Sequence, residues 1–405
     1  MLRALAGRAL ANLLCLSLAI SVSGSAPLTE RTVAQAPTTF VHPGVLLDQN
    51  QLEFIKDKVN SGEEQWTNAY QAMLQSPLAA LNREPSPTAT VECGPESTPD
   101  IGCTAETEDA LAAYAMSLAW YISGSAQYAE KAISYMNAWA GTVKAHTDSN
   151  APLQAGWAGA TWPRAAEIIR YSNAGWPNED ITNFENMLRN VYLPEVIVGS
   201  NSNGNWELVM MEAAIGICIF LEDSSNYVKA MNTFLDRVPA YIYLTSDGEH
   251  PQTAPASSLT SSAAIIDYWY GQDTFPESGI AQETCRDFVH VGYGLASISH
   301  VAESSRIQGT DLYAGDIGQR LRFGLGFHSR YQLGASVPSW LCKGSLVDTG
   351  TKRLNSVTEV GYNALSTRLG HVMNSTGILT MDQRPAGENE LFVGWETLTH
   401  GNNTA

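Results

Sequence analysis

Helical segments follow one another through this chain on links too short to let neighbours run parallel. Ser123-Gly-Ser and Glu222-Asp-Ser-Ser are the plainest of these links, and a short connection forces adjoining helices antiparallel. Helical pattern runs through Glu106–Ile122, Ala126–Lys144, Gly159–Ser172, Glu179–Val198, Asn205–Leu221, Ser224–Tyr243, Gln282–Ser305 and Asp311–Tyr331, with no convincing strands between them. Upstream, Asp48-Gln-Asn-Gln-Leu opens a first helix on an Asp or Asn cap, and helical pattern continues to about Ala80. Repeated hairpins of this kind predict an all-α fold, an (α/α) toroid or incomplete α/α barrel with a central cleft. One domain is expected over residues 27–405, less regular after Ser336.

The N-terminus reads as a signal peptide over residues 1–26. Arg3 and Arg8 are basic, and Ala9 to Ile20 is an apolar core too short to span a bilayer. Cleavage is expected after Ala26, with Ala34-Gln-Ala36 as a second trimming point. No later segment has the length of a membrane helix, so a secreted, extracellular protein is expected. Cys15 leaves with the signal. Cys93 and Cys103 flank a Pro/Gly-rich loop and form the first expected disulfide, Cys285 and Cys342 the second, and Cys218 is expected as a buried thiol. Asn374-Ser-Thr and Asn402-Asn-Thr are glycosylation sequons. The formal charge is 23 − 41 = −18, which argues against a nucleic-acid partner. An acidic polysaccharide is not excluded, because a few cations make one cleft locally positive.

The segment from Gln282 to His300 carries most of the chemistry. Glu283, Arg286, Asp287, His290 and Tyr293 recur at three- and four-residue steps, the spacing of one helix face. A titratable face predicts a helix lining a polar cleft; an internal ion-pair network is the alternative. Asn203, Asn205, Trp206 and Glu207 open an apolar helix. One Asn serves as cap, and Trp206 offers a flat face for a sugar or for the core. Asp247-Gly-Glu249-His250 is a turn in which Glu249 and His250 are left for function. Tyr268 and Tyr270 with Trp269, and Trp395 to His400, add aromatic and polar groups. A metal on Glu249, His250 and His290 is a weak signal, and zinc, nucleotide and nucleophile-elbow motifs are absent. No cofactor is called for.

These residues resemble a known family. Gly204-Asn205-Trp206-Glu207, Asp247-Gly248, Gln282-Glu-Thr-Cys-Arg286-Asp287-x-x-His290, Gln308-Gly-x-Asp311 and Trp395-Glu-Thr-Leu-Thr-His400 are similar to secreted alginate-lyase-type α/α toroids. The resemblance is strongest to the uronan lyases of polysaccharide lyase family 38, and it covers about half the chain. It implies β-elimination on a uronan such as glucuronan or alginate; separately, a monomer acting on an acidic polysaccharide is expected. Arg286, aided by Asn205 and by Glu249 or His250, would neutralise the uronate. In toroidal lyases a tyrosine serves as both base and acid, with a histidine nearby; Tyr293 and His290 fit those types. The family tyrosine is expected one residue earlier, where Gly292 stands, so Tyr268 and Tyr270 also compete for the phenol. Glu207, Glu283 and Asp287 are expected as orienting or subsite groups, and Trp206, Glu249 and Tyr268 as substrate-binding ones. Two further readings stand beside this one. A glycoside hydrolase would use two carboxylates among Glu207, Asp247, Glu249 and Glu283, and an inactive homologue would bind carbohydrate without turnover.

Overall fold

The computed structural model describes residues 34–255, 257–348 and 350–405. The expected signal peptide and Cys15 lie outside the described residues. In chain order the helices are α1 (Gln49–Asn60), α2 (Glu64–Gln75), α3 (Cys103–Ser123), α4 (Ala126–Thr142), α5 (Ala151–Arg170), α6 (Asn178–Met187), α7 (Leu193–Val196), α8 (Gly204–Phe220), α9 (Ser224–Tyr241), α10 (Ser262–Tyr268), α11 (Phe288–Ile307), α12 (Asp316–Gln332), α13 (Glu359–Tyr362), α14 (Asn374–Asp382) and α15 (Glu396–His400). Helices α3, α5, α8 and α11 are buried on nearly every face, as an inner layer requires. Each packs on an inner neighbour, α3 on α5, α5 on α8, and α8 on α11. Helices α4, α9 and α12 flank α3, α8 and α11 and bury a narrower stripe. This is the (α/α) toroid that the hairpin pattern predicts.

Local chemistry explains most boundaries. Asp48 accepts the Gln51 N–H at 2.8 Å while the Gln51 side chain returns to the Asp48 N–H at 3.0 Å, a reciprocal cap on α1. Helix α5 begins about two turns before the expected Gly159, because its glycines are approach points and not breakers. A Cβ on Gly156 would stand 3.2 Å from Val209, and one on Gly159 would stand 3.3 Å from Ala213, both on α8. The expected helix Glu179–Val198 is three pieces, with a π-helical turn over Leu188–Tyr192 before α7. Pro194 has no N–H to continue the regular ladder. Three short strands also form where none was expected. Thr90–Cys93 (β1) pairs antiparallel with Asp100–Ile101 (β2) and parallel with Ala145–Thr147 (β3).

Cys93–Cys103 and Cys285–Cys342 are disulfide-bonded, and Cys218 is a buried free thiol. Among the described residues no helix is long and apolar enough to cross a membrane. One boundary matters for function. The expected helix Gln282–Ser305 starts only at Phe288, because Asp287 has extended backbone and its side chain accepts the His290 N–H at 2.9 Å. Glu283, Arg286 and Asp287 therefore lie on the turns leading into α11, not on its face.

Candidate active site

The turn Gln282–Asp287 stitches the N-terminus of α8 to that of α11. Gln282 Oε1 accepts the Gly204 N–H at 2.9 Å, and Asn205 Nδ2 donates to both oxygens of Glu283 at 2.8 Å. Tyr241 donates to the same carboxylate at 3.1 Å and Arg286 Nη1 at 2.8 Å. Glu283 is fully buried, and these donors satisfy a charge that would otherwise be very costly there. It is a hub that orients Asn205 and Arg286. Burial works against the Arg286 charge, but Glu283 and Asp287 raise its pKa overall. Its Nε and Nη2 make no hydrogen bond among the described residues, which leaves part of the guanidinium fork free.

Tyr241 is the hub member that sequence reasoning missed. Its ring lies between two glycines. A Cβ on Gly204 would meet it at 2.2 Å and one on Gly294 at 2.4 Å. The available signal was a glycine in the first turns of both α8 and α11, each adjoining a candidate site residue.

Asp287 accepts from His290 twice, from the backbone N–H and from Nδ1, the latter at 2.8 Å to both oxygens. Burial alone would raise the Asp287 pKa; the His290 bonds and the Arg286 charge bring it below the usual range. An ionised carboxylate only accepts, so Nδ1 carries the proton and Nε2 is the free ring nitrogen. The Tyr293 ring stands 5.7 Å from the His290 ring, centroid to centroid, and leans edge-on against Trp157 at 6.5 Å and Phe392 at 6.0 Å. Burial, with Asp287, pushes its phenol up to about 12. Position 292 faces elsewhere: a Cβ on Gly292 would meet Leu354 and Val357. Tyr293, not its neighbour, is the position that shares surroundings with His290, Arg286 and Asp287.

The remaining expected residues are dispersed. Glu207 is ion-paired with Arg237 at 2.5 Å and accepts the Ser200 N–H. Tyr268 donates to Ser202 O at 2.7 Å, so both brace the 200–203 loop. Trp206 is half-buried against the core. Tyr270 sits in the left-handed region (φ 54°), a strained place for a tyrosine, and its hydroxyl donates to Asn203 at 2.9 Å. Asp247 forms a buried bidentate pair with Arg320. Glu249 is exposed, and the His250 ring meets Phe275. No hydrogen bond or ring contact joins His250 or Glu249 to Arg286, His290 or Tyr293 among the described residues. Nor do the described residues include a group of three His, Cys, Asp or Glu able to hold a metal.

Of the four carboxylates that a hydrolase would draw on, three are already engaged and only Glu249 is not. Glu207, Asp247 and Glu283 each have a cationic partner.

Comparison with known proteins agrees. The Alginate lyase family model matches residues 57–252, which includes Asn205 and ends before Arg286. No curated protein matches the chain. Among solved structures, a tyrosine-to-phenylalanine variant of alginate lyase A1-III complexed with tetrasaccharide is similar at TM-score 0.60 and 13% identity, covering 90% of this chain and 97% of that one. The A1-III enzyme from Sphingomonas species A1 is similar at 0.56 and 16%, covering 93% and 99%. An alginate lyase from Bacteroides ovatus is similar at 0.53 and 14%, covering 84% and 95%. Residues 57–252 thus carry an Alginate lyase domain, and the fold around it is that of the alginate-lyase α/α toroids, as expected of a polysaccharide lyase.

Proposed function

We propose that this protein is exported and cleaves a uronic-acid polymer, glucuronan or alginate, by β-elimination, as in the uronan lyases of polysaccharide lyase family 38. The observation that carries the reading is the convergence of Arg286, the Asp287–His290 pair and Tyr293 at the N-terminus of α11. The free side of the Arg286 fork receives the uronate carboxylate and lowers the barrier to losing the C5 proton. Asn205, through Glu283, holds Arg286 in place. His290 Nε2 takes the C5 proton, the electron pair forms the C4–C5 double bond, and the C4–O4 bond breaks. The Tyr293 hydroxyl, a phenol that stays protonated at neutral pH, gives its proton to O4.

Support also comes from the A1-III neighbour, where both a tyrosine-to-phenylalanine and a histidine-to-alanine variant are found complexed with tetrasaccharide. The two disulfides support export. His250 and Glu249 have no part in this mechanism.

The test is ultraviolet absorbance during incubation with glucuronan, polymannuronate and polyguluronate. Growth of the unsaturated-uronate band on one of them is expected, with its loss in Arg286→Ala. New reducing ends without that band would overturn the proposal in favour of hydrolysis.

A further inference from the structure

Beside Tyr293, two loops enclose a polar pocket of about 460 Å³. One wall is the segment after Arg353, whose Val357 packs against Gly292 of α11. The other is the loop 387–393, which sets Phe392 against the Tyr293 ring. The first wall therefore backs onto α11 at Gly292, on the side away from Tyr293, and the second reaches the Tyr293 ring through Phe392.

The second wall is fixed before any ligand arrives. Asn389 Oδ1 accepts the N–H groups of Leu391, Phe392 and Val393 at 3.1, 3.0 and 2.9 Å. Glu388 and Gly394 close the loop as a bridge. Two pocket-lining residues, Asn389 on this loop and Gln383 at the C-terminal end of α14, hold unpaired polar atoms. Asn389 Nδ2, a donor, and Gln383 Oε1, an acceptor, are out of solvent with no hydrogen-bond partner among the described residues. Native proteins rarely leave such atoms unsatisfied, and one donor with one acceptor is what a pyranose hydroxyl pair satisfies.

Arg353 adds a charge. Nearby arginines are committed, Arg368 to Glu303 and Arg384 to Glu359. Arg353 is exposed, lines the pocket, and makes no hydrogen bond or ion pair among the described residues. Asp382, Glu388 and Glu390 also line it, so the pocket accommodates one uronate charge at Arg353 and repels a second. Carboxylates of this kind accept hydrogen bonds from sugar hydroxyls.

We propose that this pocket is a saccharide subsite beyond the cleaved bond. Arg353 receives one uronate carboxylate there, and Asn389 Nδ2 and Gln383 Oε1 receive hydroxyls of the same ring. The proposal rests on the uronan-lyase reading above and says where a longer chain gains its extra binding.

The test compares wild type, Arg353→Ala and Asn389→Asp on a long uronan and on the shortest oligomer that is cut. Asn389→Asp keeps the oxygen that caps the loop and removes the donor. Arg353→Ala removes an exposed, unpaired side chain, so folding is undisturbed. On the long polymer each variant is expected to raise KM about tenfold, one hydrogen-bonded contact's worth, with kcat within about twofold. The shortest oligomer is expected to show no change. Unchanged KM at every length, or a fall in kcat alone, would overturn the subsite. A calorimetric titration with saturated glucuronate, mannuronate and guluronate oligomers separates the two readings. If wild type yields no unsaturated ends from any uronan, the proposed function fails. Affinity lowered about tenfold by Arg353→Ala still upholds the subsite, and equal affinity or no binding rejects it.

Discussion

His290 Nδ1 lies 2.8 Å from both carboxylate oxygens of Asp287, the residue that caps the helix on which His290 stands. One side chain thus sets both the start of α11 and the tautomer of its first titratable ring. Asp287→Asn keeps a capping oxygen but removes the charge that fixes Nδ1–H. It is expected to lower kcat by about 10²–10⁴-fold while the melting temperature shifts little. Initial rates and a thermal melt decide it; wild-type kcat in this variant would take the pair out of the mechanism.

Glu283→Gln tests the hub. The side chain keeps its shape, but Arg286 loses its anionic partner and one of the two oxygens that Asn205 addresses becomes a donor. A fall in kcat/KM of roughly 10²-fold is expected, since an arginine displaced by an ångström misplaces the uronate. If Glu283 serves only the fold, stability will fall and kcat/KM of the folded fraction will not.

Stability at low pH has a named contributor. Burial would raise the pKa of Glu303, but Arg368 and Arg306 bring it down to about 2. An unfolded glutamate titrates near ~4.3, so its folded pKa is depressed. The pair stabilises fully above about pH 4.3 and loses that contribution as pH falls toward about 2, on the order of 3 kcal/mol. Melting temperature against pH should therefore drop more steeply over that window in wild type than in Glu303→Gln. Parallel curves would remove Glu303 from the acid response.

Cys285 precedes Arg286 and is bonded to Cys342, 57 residues on. The double replacement Cys285→Ser with Cys342→Ser is expected to cost about 2–4 kcal/mol in urea denaturation. It should also raise KM, because the turn bearing Arg286 loses its tether. An unaltered KM would mean that the hydrogen bonds of the turn suffice alone.

Asp247→Ala separates lyase from hydrolase in another way. It removes the bidentate partner of the buried Arg320 and leaves that guanidinium to Asp316 and the Ile242 carbonyl, so a loss of about 1–3 kcal/mol is expected. The folded fraction should retain the ratio of kcat to KM. A catalytic collapse without destabilisation would restore Asp247 as a working carboxylate.

The toroid was legible because its evidence is local: short links, caps such as Asp48, and apolar helices without interruption. The boundaries that went astray were those where a local rule met a tertiary one. Helical pattern begins at Gly159 in the sequence, yet α5 starts at Ala151 and runs through its glycines with α8 pressed against them. Glu283 to Asp287 keep helical spacing in the sequence, yet Asp287 ends that pattern by turning its carboxylate onto the His290 N–H. Among candidate residues, Arg286, His290, Tyr293, Asn205 and Glu283 come together because each sits at one end of α8 or α11. Glu207 and Tyr268 were drawn from the right neighbourhood but are occupied with the 200–203 loop. Tyr241 left only the indirect sign of the two glycines that make room for it, and Phe392 left none, since a buried ring looks like any other core aromatic. Tyr293 stands beside His290 while Gly292 lies against Leu354 and Val357, a difference of register that the spacing of the two positions does not reveal.

The bonds from Gly204 to Gln282 and from Asn205 to Glu283 span 78 residues each. Half of the site is therefore made early in synthesis and half late. A nascent chain that has emerged only through α9 holds Asn205 and Tyr241 but not the carboxylate both address, nor the arginine beside it. Docking α11 on α8 therefore completes the site, and a chain short of α11 holds only half of it.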